Sequence, residues 1–236
     1  MPLARIQGVQ HGFAVASQLR RRMEDAGLPS GNFRYVKIEA PIKDALDQDL
    51  VDFAVHLEAA PAMGAFAESR LDETYGWLPL APEPLRVLVG RGSPLFGAGT
   101  VDAATVSASE IVCAASPSYE SWFSAVGDTF LSHGVAVRLK GVPDTPLEGG
   151  AFPLGSQRMC ICTEHFARYY RDLDAEVAAV LKVREFEPLL YPFLVYRRDN
   201  PSPAVAQIIA CFQADSSSCS STSESSSCLE CTPNFS

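Results

Sequence analysis

Along the first 55 positions, short runs of apolar residues, which predict strands, alternate with segments in which apolar residues recur at helical spacing. Residues 4–9 and 33–40 are short runs rich in branched and aromatic side chains, as is typical of strands. Between them, apolar residues recur every three or four positions over 15–26, and Gly27 ends the predicted helix. A second helix then leads to a third strand at 50–55. This order is typical of a parallel sheet with helices packed on it.

A second unit of the same kind begins at about residue 100. After a predicted connecting strand at 85–90, the pattern predicts strands at 109–116 and 135–139 on either side of a helix over 118–133. Residues 158–170 then read as a strand followed by a helix. The chain therefore divides into two α/β lobes, and the segments that join them leave a cleft in which a ligand can bind.

The ordered part of the chain ends with a strand, a turn and a helix. Residues 193–196 are continuously apolar, as expected of a strand buried on both faces. In the turn that follows, Ser202 can cap a helix and Pro203 suits its first position. Apolar residues at helical spacing over 205–212 complete the pattern. Because a single strand and helix need a sheet made elsewhere, we expect them to return to the first lobe.

Composition changes this picture mainly at the C-terminal end. Residues 214–236 are rich in serine and lack the apolar side chains that could offset the entropy of ordering, so we expect a disordered Ser/Cys-rich tail. Its Cys-Leu-Glu-Cys sequence has no second pair, which leaves a zinc or redox site as an open but less favoured alternative. Four cysteines in apolar surroundings are interpreted as reduced core residues: Cys113, Cys160, Cys162 and Cys211.

The charge and hydropathy of the chain limit its partners. The net charge is −9, so no global basic field exists to hold nucleic acid. No apolar run approaches the roughly 20 residues of a membrane helix, and the N-terminal residues lack the apolar stretch of a signal peptide. We therefore expect a cytoplasmic protein that does not bind a membrane.

Candidate catalytic chemistry is sparse. The sequence contains no G-x-S-x-G motif, and its four histidines show no metal-ligand spacing. The glycine-rich stretch at 90–99 has no lysine, so it does not match a phosphate-binding P-loop and is better interpreted as a flexible connection. We predict that the protein is not an enzyme and uses no metal or other cofactor.

Turn segments that follow predicted strands are the better candidates for a ligand site. Their polar residues form the predicted effector site: Gln10, His11, Ser116, Ser118, Tyr119 and Thr145. The first two segments also precede helix N-termini, where backbone N–H groups favour an anion. The alternative is that these residues only cap their helices or form a plain surface turn.

Three segments resemble the effector-binding domain of LysR-type transcriptional regulators. "LDQDLVDFAV", at 46–55, is similar to the family's leucine-x-x-glycine-x-leucine-aspartate run, with Asp52 at the aspartate and Asp49 where glycine is usual. "EPLRVLVGRGSPLFG", at 83–97, resembles the hinge strand and the His-Pro-Leu motif after it, with Ser93 in place of the histidine. Residues 193–212 resemble the closing strand, turn and helix.

The resemblance, which extends over about residues 3–213, implies a fold of the type 2 periplasmic-binding-protein kind, with two Rossmann-like lobes and a hinge. Lobe I is then expected at 1–90 plus 185–213, and lobe II at 91–184. The hinge is expected at Arg86, Val89 and Arg91.

The implied function is the sensing of a small, anionic effector between the lobes to control transcription. Family members imply a homodimer or tetramer in which helix 13–26 meets helix 118–133 of a partner subunit. DNA contact is expected only through a winged helix-turn-helix, which has no counterpart in this sequence. A solute-binding protein or an enzyme on the same two-lobe fold is the alternative.

Overall fold

The structure is a computed structural model that describes residues 3–7, 15–29, 33–36, 38, 40–63, 73–115, 120–143, 158–168 and 178–218. The strands in these ranges are β1 (Ala4–Gln7), β2 (Phe33–Val36), β3 (Phe53–Glu58), β4 (Tyr75–Pro79), β5 (Glu83–Gly90), β6 (Thr100–Val101), β7 (Glu110–Ala115), β8 (Arg138–Pro143), β9 (Met159–Thr163), β10 (Ala178–Val183) and β11 (Leu189–Arg197). The helices are α1 (Val15–Asp25), α2 (Ile42–Asp47), α3 (Ala103–Ala108), α4 (Glu120–Leu131) and α5 (Pro203–Ser218).

The strands form two sheets with the same internal order. The first runs β2-β1-β3-β11-β4, and the second runs β8-β7-β9-β5-β10, with the short β6 beside β10. In each sheet the first three strands are parallel, the fourth is antiparallel to the third, and the fifth is antiparallel to the fourth. The predicted fold of two α/β lobes is confirmed, and the last strand returns to the first lobe as expected.

The fourth strand of each sheet, β11 or β5, belongs to a segment that crosses between the lobes. β11 comes from the end of the chain, and β5 leads out of the first lobe. The two strands pair with each other only at their starts, where Leu189 faces Pro84 and Leu190 faces Glu83. From Leu85 onward, β5 pairs with β9 instead. The first crossing therefore lies near residues 83–85. The predicted lobe boundaries themselves stay a prediction.

Helix α4 packs against both lobes. It belongs to the second lobe by sequence, yet it contacts β3 and β11 of the first sheet. Trp122, Val126 and Phe130 are all buried in the largest core cluster, and Phe123 packs against it. The apolar residues that cover more than one face of this helix are thus accounted for within the chain.

Helix ends and turns follow the local chemistry of the sequence. Gly27 has a φ of +66° and ends α1, with its N–H donating to Glu24 O and the Leu28 N–H donating to Met23 O. Asp49, between α2 and β3, has a φ of +52°. This left-handed conformation explains why glycine is usual at this position, and the short polar side chain of aspartate tolerates it.

The C-terminal helix extends further than predicted. Pro203 is its first residue, as expected, but the helix ends at Ser218. The helix therefore overlaps residues 214–218 of the predicted tail, whose disorder stays a prediction. The remainder of the predicted tail lies outside the described residues. Cys160, Cys162 and Cys211 are buried thiols outside any disulfide bond, as predicted, and the side chain of Cys113 is not among those described.

Within the ranges given above, no helix is both long and apolar enough to cross a membrane.

Candidate functional site

The register of the strands locates the cleft between the lobes. β3 ends at Glu58, which pairs with Tyr191 close to the start of β11. β9 ends at Thr163, which pairs with Leu85 at the first crossing. The other parallel strands of each sheet run in the same direction as β3 or β9. The carboxyl ends of both parallel sets therefore lie toward the crossing, which is where α/β sheets bind ligands.

The predicted effector residues all belong to segments that follow these carboxyl ends. Gln10 and His11 come after β1, Ser118 and its neighbours Ser116 and Tyr119 lie between β7 and α4, and Thr145 comes after β8. All six residues lie outside the described residues. Their assignment to the site stays a prediction, and the chemistry below concerns the described residues around them.

Gln7, the last residue of β1, ties the first two strand ends together. Its side chain is buried, and Nε2 donates to Ile38 O at 3.0 Å and to Ala40 O at 2.8 Å. These carbonyls belong to the connection from β2 to α2. The carboxamide thus holds the chain that leaves β2 against the end of β1.

A half-buried ion pair fixes the opposite end of the first sheet. Asp52 Oδ2 accepts hydrogen bonds from Arg5 N at 2.7 Å and Arg5 Nε at 3.0 Å, while Oδ1 accepts from Arg5 Nη2 at 3.0 Å. Asn200 Nδ2 also donates to Oδ1, at 3.2 Å, and Asn200 Oδ1 accepts from the Ser202 N–H. Arg5 Nη1 reaches Asp49 O at 2.7 Å. One carboxylate therefore joins β1, the start of β3 and the closing turn.

These contacts keep Asp52 ionised. Burial alone favours the neutral acid, but the hydrogen bonds from Arg5 and Asn200 outweigh it and hold the pKa of Asp52 below its ordinary value. The aspartate of the resemblance thus has a structural role, at the end of the sheet away from the cleft.

Two polar side chains stand at the carboxyl end of β3. His56 Nε2 lies 2.7 Å from Glu58 Oε1, and both side chains are largely buried. They are two positions apart, so they share one face of the strand. This pair is not among the predicted site residues, although two polar positions that alternate within an apolar strand are a visible signal.

A buried cation stands at the first crossing. Arg86 is 5% exposed, and its Nη2 donates to Glu187 Oε1 at 2.8 Å. Its Nε forms an ion pair with Glu164, the first residue of a helical turn at 164–168 that follows β9. Arg86 thus connects the first crossing strand to the second crossing segment and to the end of β9.

The charges around Glu164 also favour its ionised form. Burial raises the pKa of this carboxyl, but the hydrogen bond from Arg168 and the charge of Arg86 outweigh that effect, and the pKa lies below its ordinary value.

An open cavity of about 300 Å³ adjoins this cluster and is lined by Arg86 and residues 182–187. Its lining carries charges of both signs.

The other predicted hinge residues lie beyond the crossing. Val89 pairs with Met159 on one side and with Ala179 on the other, within the second sheet. Arg91 follows in an exposed turn. Of the three, Arg86 has a described contact with the second crossing segment, through Glu187. Hinge motion itself stays a prediction.

The described part of the chain contains no group of three or more side chains suited to hold a metal ion.

Comparisons with known proteins bear on the fold. No protein-family model matches the sequence. No curated protein matches it either. Among solved structures, CbnR, a LysR family transcriptional regulator, superposes with a TM-score of 0.64 at 14% identity, over 90% of this chain and 69% of CbnR.

Isolated effector-binding domains match over nearly their whole length. The domain of a BenM variant gives a TM-score of 0.59 at 12% identity, over 93% of this chain and 97% of that domain. The effector-binding domain of QuiR in complex with shikimate gives 0.60 at 13% identity, over 91% and 97%. The chain has the two-lobe fold of the effector-binding domains of LysR-family regulators.

Proposed function

We propose that the chain is the effector-sensing part of a LysR-type transcriptional regulator, which binds a small anionic molecule between its lobes to control transcription. The observation that carries this proposal is the meeting of the carboxyl ends of both parallel strand sets at the crossing. The fold shared with LysR effector-binding domains supports the same conclusion. DNA is then contacted through a winged helix-turn-helix of the regulator, and the protein works in the cytoplasm as a sensor, not as an enzyme.

We infer an anionic effector from the helices that follow the carboxyl strand ends. α1 follows β1, and α4 follows β7, so two helix N-termini belong to segments that leave carboxyl strand ends. Unpaired N–H groups and the helix dipole favour negative charge at such positions. Shikimate, which is bound in the QuiR structure, is a hydroxylated carboxylate and is the natural first probe.

Binding assays with two variants test the proposal. Wild-type protein is screened by thermal shift against shikimate and other small carboxylates, and binding is then measured by calorimetry. We expect His11→Ala and Ser118→Ala each to weaken binding by about 1–3 kcal/mol, the cost of one lost polar contact to a buried ligand. Ser124→Ala, at an exposed position on α4, is the matched control. If both site variants fold and bind like wild type, the cleft assignment is wrong.

A negative screen has a different meaning. If no acid, aromatic compound or sugar shifts the wild-type melting temperature, the sensing role itself loses its support, and a module that serves only for subunit contacts becomes the better explanation.

Assembly into a homodimer or tetramer belongs to the same proposal. The expected pairing places α1 of one subunit against α4 of its partner. The buried apolar residues of α4 no longer support this contact, because they pack within the chain. Leu131, at the end of α4, is 61% exposed and is the apolar side chain of this helix that remains open to a partner.

A further inference from the structure

Gln7 occupies a central position at the carboxyl end of the first sheet. It is 3% exposed and pairs with Val36 on one side and Ala54 on the other, so it sits between β2 and β3. A buried glutamine is uncommon, because both ends of its carboxamide need hydrogen-bond partners away from water.

The two hydrogen bonds of Nε2 fix the orientation of this carboxamide. Both N–H groups are used, by Ile38 O and Ala40 O. A flipped amide would place Oε1 against two carbonyl oxygens, which also only accept, so the observed orientation is the one that bonds. The side chain therefore binds two backbone carbonyl oxygens that lie within three residues of each other in the β2–α2 connection.

The oxygen of the carboxamide lowers the stability of the folded chain. Gln7 Oε1 is buried and has no hydrogen-bond partner among the described residues. The cost of a buried unsatisfied acceptor is similar in size to the gain from two neutral hydrogen bonds. The two effects largely cancel in the free energy of unfolding. What remains is local, namely the fixed position of the β2–α2 connection relative to the end of β1.

We propose that Gln7 is a positioning residue of the effector cleft, which locks the connection after β2 to the end of β1 and so shapes the binding surface before the ligand arrives. This proposal rests on the proposed function, because the connection matters to binding only if the effector lies at these strand ends. Preorganisation of this kind strengthens binding by reducing the ordering that the ligand must impose.

Three variants test this role: Gln7→Met, Gln7→Glu and, as a matched control, Gln48→Met at an exposed position at the end of α2. Methionine keeps the volume and removes the donors, and glutamate sets a carboxylate oxygen against the two carbonyls. We expect peptides that cover residues 37–47 to exchange their amide hydrogens about tenfold faster in Gln7→Met and faster still in Gln7→Glu. The melting temperature of Gln7→Met should stay within about two degrees of wild type, since its gains and losses cancel.

Binding of shikimate, measured by calorimetry, supplies a readout that a purely structural role would not move. The dissociation constant should rise about tenfold in Gln7→Met at an almost unchanged melting temperature. Unchanged exchange at 37–47, or a rise spread over the whole chain with a matching loss of stability, overturns the proposal, as does faster local exchange with unchanged shikimate binding. If wild type binds no acid, the proposed function fails, and the exchange result alone then decides whether Gln7 holds the connection.

Discussion

Replacement of Asp52 by asparagine should destabilise the first lobe, with a pH dependence that identifies the cause. The carboxylate accepts three hydrogen bonds from Arg5 and one from Asn200. Asparagine has the same shape, but its Nδ2 is a donor where the carboxylate has a second acceptor oxygen. Its single oxygen therefore cannot accept all the hydrogen bonds that are made to the two carboxylate oxygens. At least one charge-assisted contact is lost, each worth about 1.5–3 kcal/mol.

The structure limits this loss from above. The Arg5 side chain is about one-third exposed, so its guanidinium can return to water when the carboxylate is gone. Removal of one partner from a fully buried ion pair costs about 3–5 kcal/mol, and the cost of Asp52→Asn should be lower than that. We expect Asp52→Asn to lower the free energy of unfolding by about 2–3 kcal/mol at pH 7.

The dependence on pH follows from the lowered pKa of Asp52 in the folded state. A group of this kind contributes stability above its unfolded pKa of about 3.9, and that contribution is lost as the pH falls through the folded pKa. The difference between wild type and Asp52→Asn should thus be complete at pH 7 and pH 5. It should shrink once the pH falls below about 4, where Asp52 of the unfolded wild type takes up a proton while the folded form is still ionised.

Urea unfolding, followed by the fluorescence of Trp77 in β4 and Trp122 in α4, measures both quantities. Asp128→Asn, at an exposed position on α4, is the control and should change the midpoint little. Equal midpoints for wild type and Asp52→Asn at pH 7 would refute the role of the network. A difference that is just as large at pH 3.5 would show that packing, not ionisation, explains the loss.

Three further changes follow from the described contacts. Gly76→Ala should cost about 1–3 kcal/mol in urea unfolding, because a Cβ there would clash with the ring of Tyr196, and an unchanged midpoint would show that the ring moves freely. Arg86→Met should cost a similar amount, about 1–3 kcal/mol, because Glu164 keeps solvent contact and can rehydrate; if Glu164→Gln in the same chain restores nothing, the ion pair is not the cause. Leu131→Glu should lower the mass measured by light scattering at tens of micromolar from that of the proposed dimer toward that of the monomer, and an unchanged dimeric mass would exclude this end of α4 from the contact.

Local periodicity was sufficient to predict most elements, but it placed some of them several residues away. The third strand was predicted at 50–55, whereas β3 is Phe53–Glu58. The misplacement arises from Val51, which is buried under α2 although it precedes the strand. In the second lobe, Val135 was assigned to a strand. It instead closes α4, where its N–H donates to Phe130 O beside Gly134 at a φ of +74°.

The contacts that hold the crossing were beyond the reach of sequence patterns. Arg86 and Glu187 are 101 positions apart, and Arg5 and Asp52 are 47 apart. No periodicity connects such residues, because their contact depends on how β5 and β11 are exchanged between the sheets. β4 was also missed, since its Tyr-Gly-Trp-Leu-Pro sequence mixes strand formers with a glycine and a proline. The predicted ligand residues, by contrast, were selected from strand ends that local patterns do reveal.

The exchanged strands and α4 together limit how the lobes can move. A free hinge would need its moving parts to be joined only by flexible segments. Here Thr129 of α4 donates a hydrogen bond to Leu189 O. Phe130 packs edge-on against Phe186, and the ring of His133 stacks on Phe186 with the ring centroids 4.1 Å apart. α4 also rests on β3. A wide opening would break these contacts and expose buried apolar side chains. We therefore expect an effector to act through small shifts of α4 and of the segments at the strand ends, and solution scattering should show little change in radius between free and ligand-saturated protein.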